Sequence, residues 1–171
     1  MDAGRLIYVM GASGAGKDSL MLNARPLLSV SGFLFAHRYI TRPASAGGEN
    51  HVALSREEFL LRRAQWFFAL HWESHGNCYG IGREIDLWLD AGQHVVMNGS
   101  RAYLTTARQL YPSLVSVLVT VTPETLRQRL EARGREGDEE IRRRIERARE
   151  YSLEEGDWLR IDNSGPLEQS A

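Results

Sequence analysis

Lys17 is the only lysine among the 21 lysine and arginine residues of the chain. It ends a glycine-rich segment that follows an apolar run and precedes a helical one. The segment consists of Gly11, Ala12, Ser13, Gly14, Ala15, Gly16 and Lys17. This spacing predicts a phosphate-binding loop, in which backbone N–H groups point at phosphate oxygens and the lysine supplies a compact point charge. The sequence therefore predicts that a nucleotide binds around Lys17.

The residue after Lys17 departs from the usual pattern of such loops. A serine or threonine normally follows the lysine and its hydroxyl binds Mg²⁺, but here Asp18 follows, and then Ser19. Carboxylate and hydroxyl oxygens are both ligands of the hard type that Mg²⁺ prefers. We therefore expect Asp18, Ser19 or both to hold Mg²⁺ beside a bound ATP.

Length and composition exclude several classes of protein. The 171 residues correspond to about one domain, and 43% hydrophobic with 25% charged residues is typical of a globular chain. A net charge of −1 creates no overall field for nucleic acid, and the single Cys78 cannot form an internal disulfide. Apolar stretches such as Leu114–Val121 are too short for a bilayer, and the N-terminus does not resemble a signal peptide. We expect one cytoplasmic domain over residues 1–171 that binds neither nucleic acid nor membrane.

Short apolar strands alternate with helical segments along the chain. Strands are predicted at Arg5–Met10, Phe33–Ile40, Trp66–Trp72, His94–Met97, Leu114–Val121 and Trp158–Ile161. Helices are predicted at Ser19–Leu28, from the Ser55 cap to Arg63, at Arg83–Ala91 and Ala102–Leu110, after the Thr122-Pro123 cap, and at Glu139–Tyr151. This alternation indicates a three-layer α/β domain with a mainly parallel sheet.

Further segments resemble the guanylate kinases, in the same order and spacing over nearly the whole chain. They are Thr41-Arg42-Pro43, Ser55–Phe59, Gly76–Gly80 and Arg129–Gly134. A second set is more similar to the ribose 1,5-bisphosphate phosphokinases of phosphonate catabolism, which are themselves guanylate kinase relatives. It comprises Gly16–Ser19, His37–Pro43, Glu49-Asn50-His51, Glu84–Leu89 and Asn98–Ala102.

The resemblance implies a guanylate kinase-like P-loop fold and a phosphotransfer reaction. The second family transfers phosphate from ATP, with Mg²⁺, to ribose 1,5-bisphosphate, and forms 5-phosphoribosyl 1-diphosphate (PRPP) and ADP. The partner would then be a small phosphorylated sugar, bound by a monomer or a homodimer. Two alternatives stay open: a guanylate or other nucleoside monophosphate kinase, and a guanylate kinase-like interaction module that has lost catalysis.

The resemblance also implies an acceptor-binding region over about residues 35–80. Within it the expected acceptor-binding residues are Arg38, Arg42, His51 and Tyr79. The glutamate with which guanylate kinases bind guanine is replaced by Leu70, and an acid of the fourth strand is replaced by Asn98. Because leucine cannot accept hydrogen bonds from a base, these departures favour a phosphorylated acceptor without a base. Asp18 would take over part of the Mg²⁺ binding lost at Asn98.

An arginine-rich lid is expected over about residues 125–150. By the resemblance, Arg133 and Arg144 act with Lys17 as the catalytic groups that neutralise the transferred phosphoryl group, and Arg129 supports them. Glycines in Gly134–Asp138 would be the hinges of this lid.

Other arginines and a C-terminal asparagine complete the expectations. Four lid arginines are predicted to lie on a solvated helix face, paired with acids one turn away: Arg142, Arg143, Arg147 and Arg149. Asn163 resembles part of the adenine-side loop of the family and is expected to bind the nucleotide.

Overall fold

A computed structural model describes residues 4–46, 49–134, 137–153 and 155–166, and its element bounds are as follows. The strands are β1 (Leu6–Gly11), β2 (Phe33–Phe35), β3 (Arg38–Ile40), β4 (Val52–Ala53), β5 (Phe68–Ser74), β6 (Asn77–Gly82), β7 (His94–Asn98), β8 (Val115–Thr120) and β9 (Leu159–Asp162). The helices are α1 (Lys17–Ser29), α2 (Arg56–Ala64), α3 (Glu84–Asp90), α4 (Leu104–Leu110), α5 (Pro123–Arg133) and α6 (Asp138–Leu153). Within the described ranges, every helix is too short or too polar to cross a membrane.

Five strands form a parallel main sheet in the order β2-β7-β1-β8-β9. Helices cover it on both sides, which explains why its central strands are apolar on both faces. Side chains of β1 alternate between the two cores: Tyr8 and Met10 pack with α3 and α4, whereas Val9 packs with α1, α5 and α6. The predicted three-layer α/β architecture with a mainly parallel sheet is confirmed.

Two helix starts follow from the capping residues that the sequence indicates. The Ser55 hydroxyl accepts a hydrogen bond of 3.1 Å from the backbone N–H of Glu58 and opens α2. The Thr122 hydroxyl accepts one of 3.3 Å from the N–H of Thr125, and Pro123 occupies the first turn of α5. Both predicted starts are confirmed, since each cap satisfies a backbone donor that the helix itself leaves free.

The second sheet corrects the prediction of one strand over Phe33–Ile40. That segment divides: β2 joins the main sheet, whereas β3 joins a four-stranded sheet in the order β4-β3-β6-β5. Ala36 still donates to the carbonyl of Val96 in the main sheet, at 2.9 Å, but Arg38 is already paired with Ile81 in the other sheet. The two halves have partners that lie far apart along the chain, and a local apolar pattern carries no information about them.

The same small sheet contains β6, a strand that the sequence analysis did not predict. Its sequence includes Gly80 and Gly82, residues that weaken a strand pattern. Gly80 is nevertheless buried, and a Cβ at this position would lie 2.6 Å from the ring of Phe68 on the neighbouring β5. The strand therefore contains glycine because an aromatic ring occupies the space of a side chain.

Helix α6 is fixed to the main sheet along one side. Its Ile141, Ile145 and Ala148 are buried in the core that also contains Leu126 of α5. The helix α5 ends at Gly134, which has a left-handed φ of 61°. Residues 135 and 136 of the expected hinge lie outside the described residues, so the predicted lid hinge stays a prediction.

We expect Gly80→Ala to lower the free energy of unfolding by about 1–3 kcal/mol, because its methyl group overlaps the ring of Phe68. Gly137→Ala is the control, since a Cβ there meets nothing within 4 Å. It should change the free energy by less than about 1 kcal/mol. Urea denaturation of both variants measures the difference, and equal stability of the two variants would contradict the packing argument.

Candidate active site

The phosphate loop joins β1 to α1 and turns at two glycines. Gly14 and Gly16 have φ angles of 89° and 82°, in the left-handed region that other residues rarely adopt. A Cβ at Gly14 would lie 2.8 Å from the Leu126 side chain, and one at Gly16 would lie 2.6 Å from the Asn163 amide. Only glycine satisfies both the conformation and the close packing. The loop is thereby held in a curl whose backbone can surround a phosphate.

The Lys17 ammonium group is held by the loop itself. Its Nζ donates hydrogen bonds to the carbonyl oxygens of Gly11 and Ala12, at 2.9 and 3.2 Å. Burial lowers the pKa of Lys17 to about 8, and the neighbouring Asp18 carboxylate acts in the opposite direction. At neutral pH the amine therefore still carries a positive charge, in a fixed position at the start of α1.

Asp18 contacts the strand next to β1. The strands β1 and β7 are parallel neighbours, so their carboxyl ends lie side by side, and Asn98 ends β7. The Asn98 amide donates a hydrogen bond of 2.7 Å to the Asp18 carboxylate. Asn98 is only 5% exposed, and its carbonyl oxygen has no hydrogen-bond partner among the described residues. Asp18, the additional acid of the loop, is thus in direct contact with Asn98, which stands where the resemblance expects an acid.

A partly buried carboxylate holds two arginines of the expected acceptor-binding region. The guanidinium of Arg38 forms a two-point ion pair with Glu49, with its Nε at 2.8 Å from Oε2. Arg42 reaches the same carboxylate at 3.6 Å, and its Nε is buried without an acceptor among the described residues. Glu49 therefore fixes both arginines. The sequence analysis quoted Glu49 only as part of the resemblance and gave it no role.

Aromatic rings form the wall beside Arg38. Its guanidinium lies 5.1 Å from the centre of the Tyr79 ring, which stacks on Trp72 at 5.6 Å with an angle of 3° between the planes. Trp72 also stacks on Tyr103, at 5.5 Å. Leu70 is fully buried in the adjoining core. This wall offers ring faces, and Leu70 presents no acceptor group to a bound base.

Arg144 connects α6 to the phosphate loop. Its Nη1 donates a hydrogen bond of 3.0 Å to the Ser13 hydroxyl, and its Nε donates one of 3.1 Å to Glu140. Arg133 lies at the end of α5 and lines the same cleft. The two arginines expected from the resemblance are therefore next to the loop that carries Lys17.

One cleft of about 850 Å³ brings most of the expected site residues together. Those that line it are Gly11, Ala12, Ser13, Gly14, Gly16, Lys17, Asp18, Ser19, Arg38, Arg42, Tyr79, Arg133 and Arg144. Ala15, His51 and Asn163 do not line it. The loop, the acceptor-binding region and α6 thus share one space.

The positions of His51 and Asn163 differ from the expectation of direct binding. The ring nitrogens of buried His51 lie 2.9 Å from the carbonyl oxygen of Arg42 and 3.2 Å from that of Glu49. The ring therefore connects the two ends of the loop between Arg42 and Glu49. Asn163 is 1% exposed, and its amide donates a hydrogen bond of 2.7 Å to the carbonyl of Ala15. Both side chains support backbone that borders the cleft instead of facing a ligand within it.

Arg129 joins Asn163 behind the phosphate loop. Its guanidinium donates to the carbonyl oxygens of Asn163, at 2.7 Å, and Ala15, at 3.5 Å. This geometry fits the supporting position that the resemblance implies for Arg129.

Arg147 and His75 also line the cleft. The sequence analysis did not assign His75 to the site, and it predicted Arg147 on a solvated helix face paired with an acid, whereas Arg147 contacts His75 at 3.4 Å. Arg147 belongs to a stripe on α6 that faces the cleft, formed by Glu140, Arg144, Arg147 and Tyr151. This spacing of four, three and four residues is that of one helix face. Because Arg144 was already expected in the site, the helical period was a signal that could have identified Arg147.

We expect Lys17→Arg to weaken ATP binding by about tenfold or more, because the planar guanidinium cannot repeat the contacts of Nζ with two adjacent carbonyls. Titration calorimetry with ATP in the absence of acceptor measures the effect. Arg149→Lys, on the exposed side of α6, makes the reverse exchange and should leave the affinity unchanged. An unaltered ATP affinity in Lys17→Arg would contradict the role given to the lysine.

Known proteins resemble the chain at two levels. A ribose 1,5-bisphosphate phosphokinase PhnN of Desulfomicrobium baculatum is 59% identical over 164 residues, which are 95% of this chain and 88% of that protein. The protein of the same name from Thiobacillus denitrificans is 55% identical over 168 residues, 98% of this chain and 88% of that one. No family model matches the chain.

Among solved structures, the guanylate kinase of Anaplasma phagocytophilum superposes with a TM-score of 0.72. The match covers 98% of this chain and 81% of that one at 19% identity, so it shows the fold. The domain thus has the guanylate kinase-like fold that the sequence predicts. With relatives at 59% and 55% identity over nearly its full length, the chain belongs to the ribose 1,5-bisphosphate phosphokinase family.

Proposed function

We propose that this protein transfers the γ-phosphoryl group of ATP to the 1-phosphate of ribose 1,5-bisphosphate. An oxygen of the 1-phosphate attacks the γ-phosphorus while the bond to the oxygen bridging the β- and γ-phosphorus breaks. The electron pair of that bond leaves with ADP, and the new P–O–P linkage gives 5-phosphoribosyl 1-diphosphate. The acceptor oxygen is already ionised at neutral pH, so the reaction requires no strong general base.

The observation that carries this proposal is a single cleft lined by phosphate-binding groups from separate parts of the fold. Lys17 and its loop line this cleft together with Arg38 and Arg42 of the small sheet and the loop after it. The charges of Arg38 and Glu49 are close enough to Lys17 to influence its pKa in opposite directions. A donor triphosphate on the loop would therefore face an acceptor phosphate held by the arginines. The names of the close relatives give the acceptor its identity.

Three cations would neutralise charge at different points of the transferred phosphoryl group: Lys17, Arg144 and Arg133. Phosphoryl transfer needs positioning and the neutralisation of charge on the equatorial oxygens, which cations in fixed positions provide. Lys17 is held on loop carbonyls, and Arg144 is held on Ser13 and Glu140. Arg133 approaches from the end of α5, as a further cation at the same cleft.

The residues around Asp18 fit a magnesium ion. The Asp18 carboxylate and the Ser19 hydroxyl are oxygen donors on the first turn of α1, and both line the cleft. The buried Asn98 oxygen has no described hydrogen-bond partner and adds a third polar atom beside Asp18. We propose that Asp18 and Ser19 hold Mg²⁺, with Asn98 fixing the Asp18 carboxylate. Mg²⁺ held there would neutralise part of the charge of the ATP phosphates.

A nucleoside monophosphate is the weaker acceptor candidate. Leu70 is fully buried, and Trp72 fills the space between the rings of Tyr79 and Tyr103. A guanine edge in this environment would lose hydrogen bonds, at about 1–3 kcal/mol for each buried group left without a partner. A non-catalytic module is disfavoured because the loop lysine and Arg144 are both present in the cleft.

The acceptor is tested by incubating the protein with ATP, Mg²⁺ and either ribose 1,5-bisphosphate or GMP, and following the reaction by ³¹P NMR. We expect the diphosphate signals of 5-phosphoribosyl 1-diphosphate to appear with the sugar, and no GDP to form from GMP. Turnover of GMP alone would overturn the proposal in favour of a nucleotide kinase. A lack of turnover with either acceptor would favour the interaction module.

We expect Asp18→Asn to raise the Mg²⁺ concentration required for half-maximal activity by about tenfold or more, because a charged ligand is replaced by a neutral one of the same shape. Ser19→Ala, measured in the same way, separates the contributions of the two residues. A rate profile against Mg²⁺ at saturating ATP gives both values. An unchanged Mg²⁺ dependence in Asp18→Asn would contradict the assignment of the carboxylate.

A further inference from the structure

Arg147 on α6 meets the hairpin turn between β5 and β6. Its Nη1 lies 3.4 Å from Nε2 of His75, and both residues line the cleft. His75 has a φ of 49°, which is uncommon for a residue other than glycine, and it precedes Gly76 in the turn. Residues from two separate parts of the fold therefore meet at one end of the cleft.

The charge around Arg147 distinguishes it from Arg38 and Arg144 in the same cleft. Arg38 is bound by Glu49, and Arg144 contacts Glu140. Within the described part of the chain, Arg147 has no carboxylate within ion-pair distance, and its contact is an imidazole. A guanidinium and an imidazole that face each other without an acid between them form an arrangement that an anion would stabilise.

Neutral hydrogen-bonding groups surround the same point. The Ser74 hydroxyl lies 2.8 Å from Nδ1 of His75, and Ser74 and Asn77 both line the cleft. Ser74 and Asn77 are paired across the hairpin in register. Hydroxyl and amide groups of this kind are common partners of phosphate oxygens.

The spacing along the hairpin separates this cluster from Arg38. Trp72 and Tyr79 form a register pair, and Ser74 and Asn77 form the register pair two residues closer to the turn. Two residues along a strand correspond to about 7 Å. Arg38 lies over Tyr79, so the wall has cationic groups at both ends.

We propose that Arg147 and His75, with Ser74 and Asn77, bind the 5-phosphate of the acceptor while Arg38 and Arg42 bind its 1-phosphate. The assignment rests on the proposed function, since it needs an acceptor with two phosphates. The two phosphates are attached on opposite sides of the furanose ring oxygen. The two cationic ends of the wall match that geometry. The acceptor then also links the hairpin to α6, which carries the catalytic Arg144.

Two sugar monophosphates separate the two ends of the site. Ribose 5-phosphate carries only the 5-phosphate of the acceptor, and ribose 1-phosphate carries only the 1-phosphate. Each is used as an inhibitor that competes with ribose 1,5-bisphosphate. In Arg147→Ala we expect the inhibition constant of ribose 5-phosphate to rise about 10- to 100-fold, the loss typical of a hydrogen bond to a charged group. The inhibition constant of ribose 1-phosphate should stay within twofold of the wild-type value.

His75→Ala and Arg143→Ala complete the experiment. His75→Ala should selectively raise the inhibition constant of ribose 5-phosphate, as we expect for Arg147→Ala. Arg143 is the matched control, because it is an exposed arginine of α6 that pairs with Glu139 at 3.0 Å and does not line the cleft. Its replacement should change neither inhibition constant.

The outcomes separate this assignment from the proposed function. Suppose that the wild-type protein phosphorylates ribose 1,5-bisphosphate, but that Arg147→Ala raises the inhibition constants of both monophosphates equally or changes neither of them. The 5-phosphate assignment alone is then overturned. If the wild-type protein phosphorylates GMP and not the bisphosphate, the proposed function is overturned and the assignment with it. A selective loss of affinity for ribose 5-phosphate, in a variant that binds ATP normally, supports both the proposed function and the 5-phosphate assignment.

Discussion

Mutual repulsion among closely spaced cations is the constraint on which the cleft depends. Each of the main cations is held by an acceptor of the protein itself: Lys17 by loop carbonyls, Arg38 by Glu49 and Arg144 by Glu140 and Ser13. These contacts fix the charges before a substrate binds, so little reorganisation is needed when phosphates arrive. The chain can therefore concentrate positive charge in one cleft while its net charge is only −1.

The main sheet determines where the donor half of this cleft forms. Its parallel strands β1 and β7 end next to each other, and ligands of α/β domains bind at such carboxyl ends. The same geometry brings Asp18, which follows β1, to Asn98, which ends β7. Behind the loop, Asn163 and Arg129 hold the carbonyl of Ala15, so the curl is supported by residues that never face the ligand.

Local signals in the sequence were sufficient for the elements of the main sheet and for the loop of Lys17. Helix caps at Ser55 and Thr122 and the glycines of the loop act within a few residues of themselves, and these predictions were accurate. The division of Phe33–Ile40 depends on partners in two different sheets, which a local pattern does not contain. The role of Glu49 is of the same type, because an ion pair with Arg38 becomes visible only once the loop between them is folded. The strand β6 pairs with the neighbouring β5, and it was missed because Gly80 and Gly82 weaken its strand pattern.

All four strands of the small sheet lie between β2 and α3, in one uninterrupted stretch of chain. The phosphate loop and the helices behind it are encoded outside this stretch. The wall that carries Arg38, Trp72 and Tyr79 is therefore specified by one continuous stretch, although Leu70, Trp72 and Ile81 pack in the same core as Tyr8 of β1 and Met97 of β7. An exchange of this stretch between relatives is therefore an exchange of this wall as a whole, and the incoming stretch must still fit α6 and the core of the main sheet.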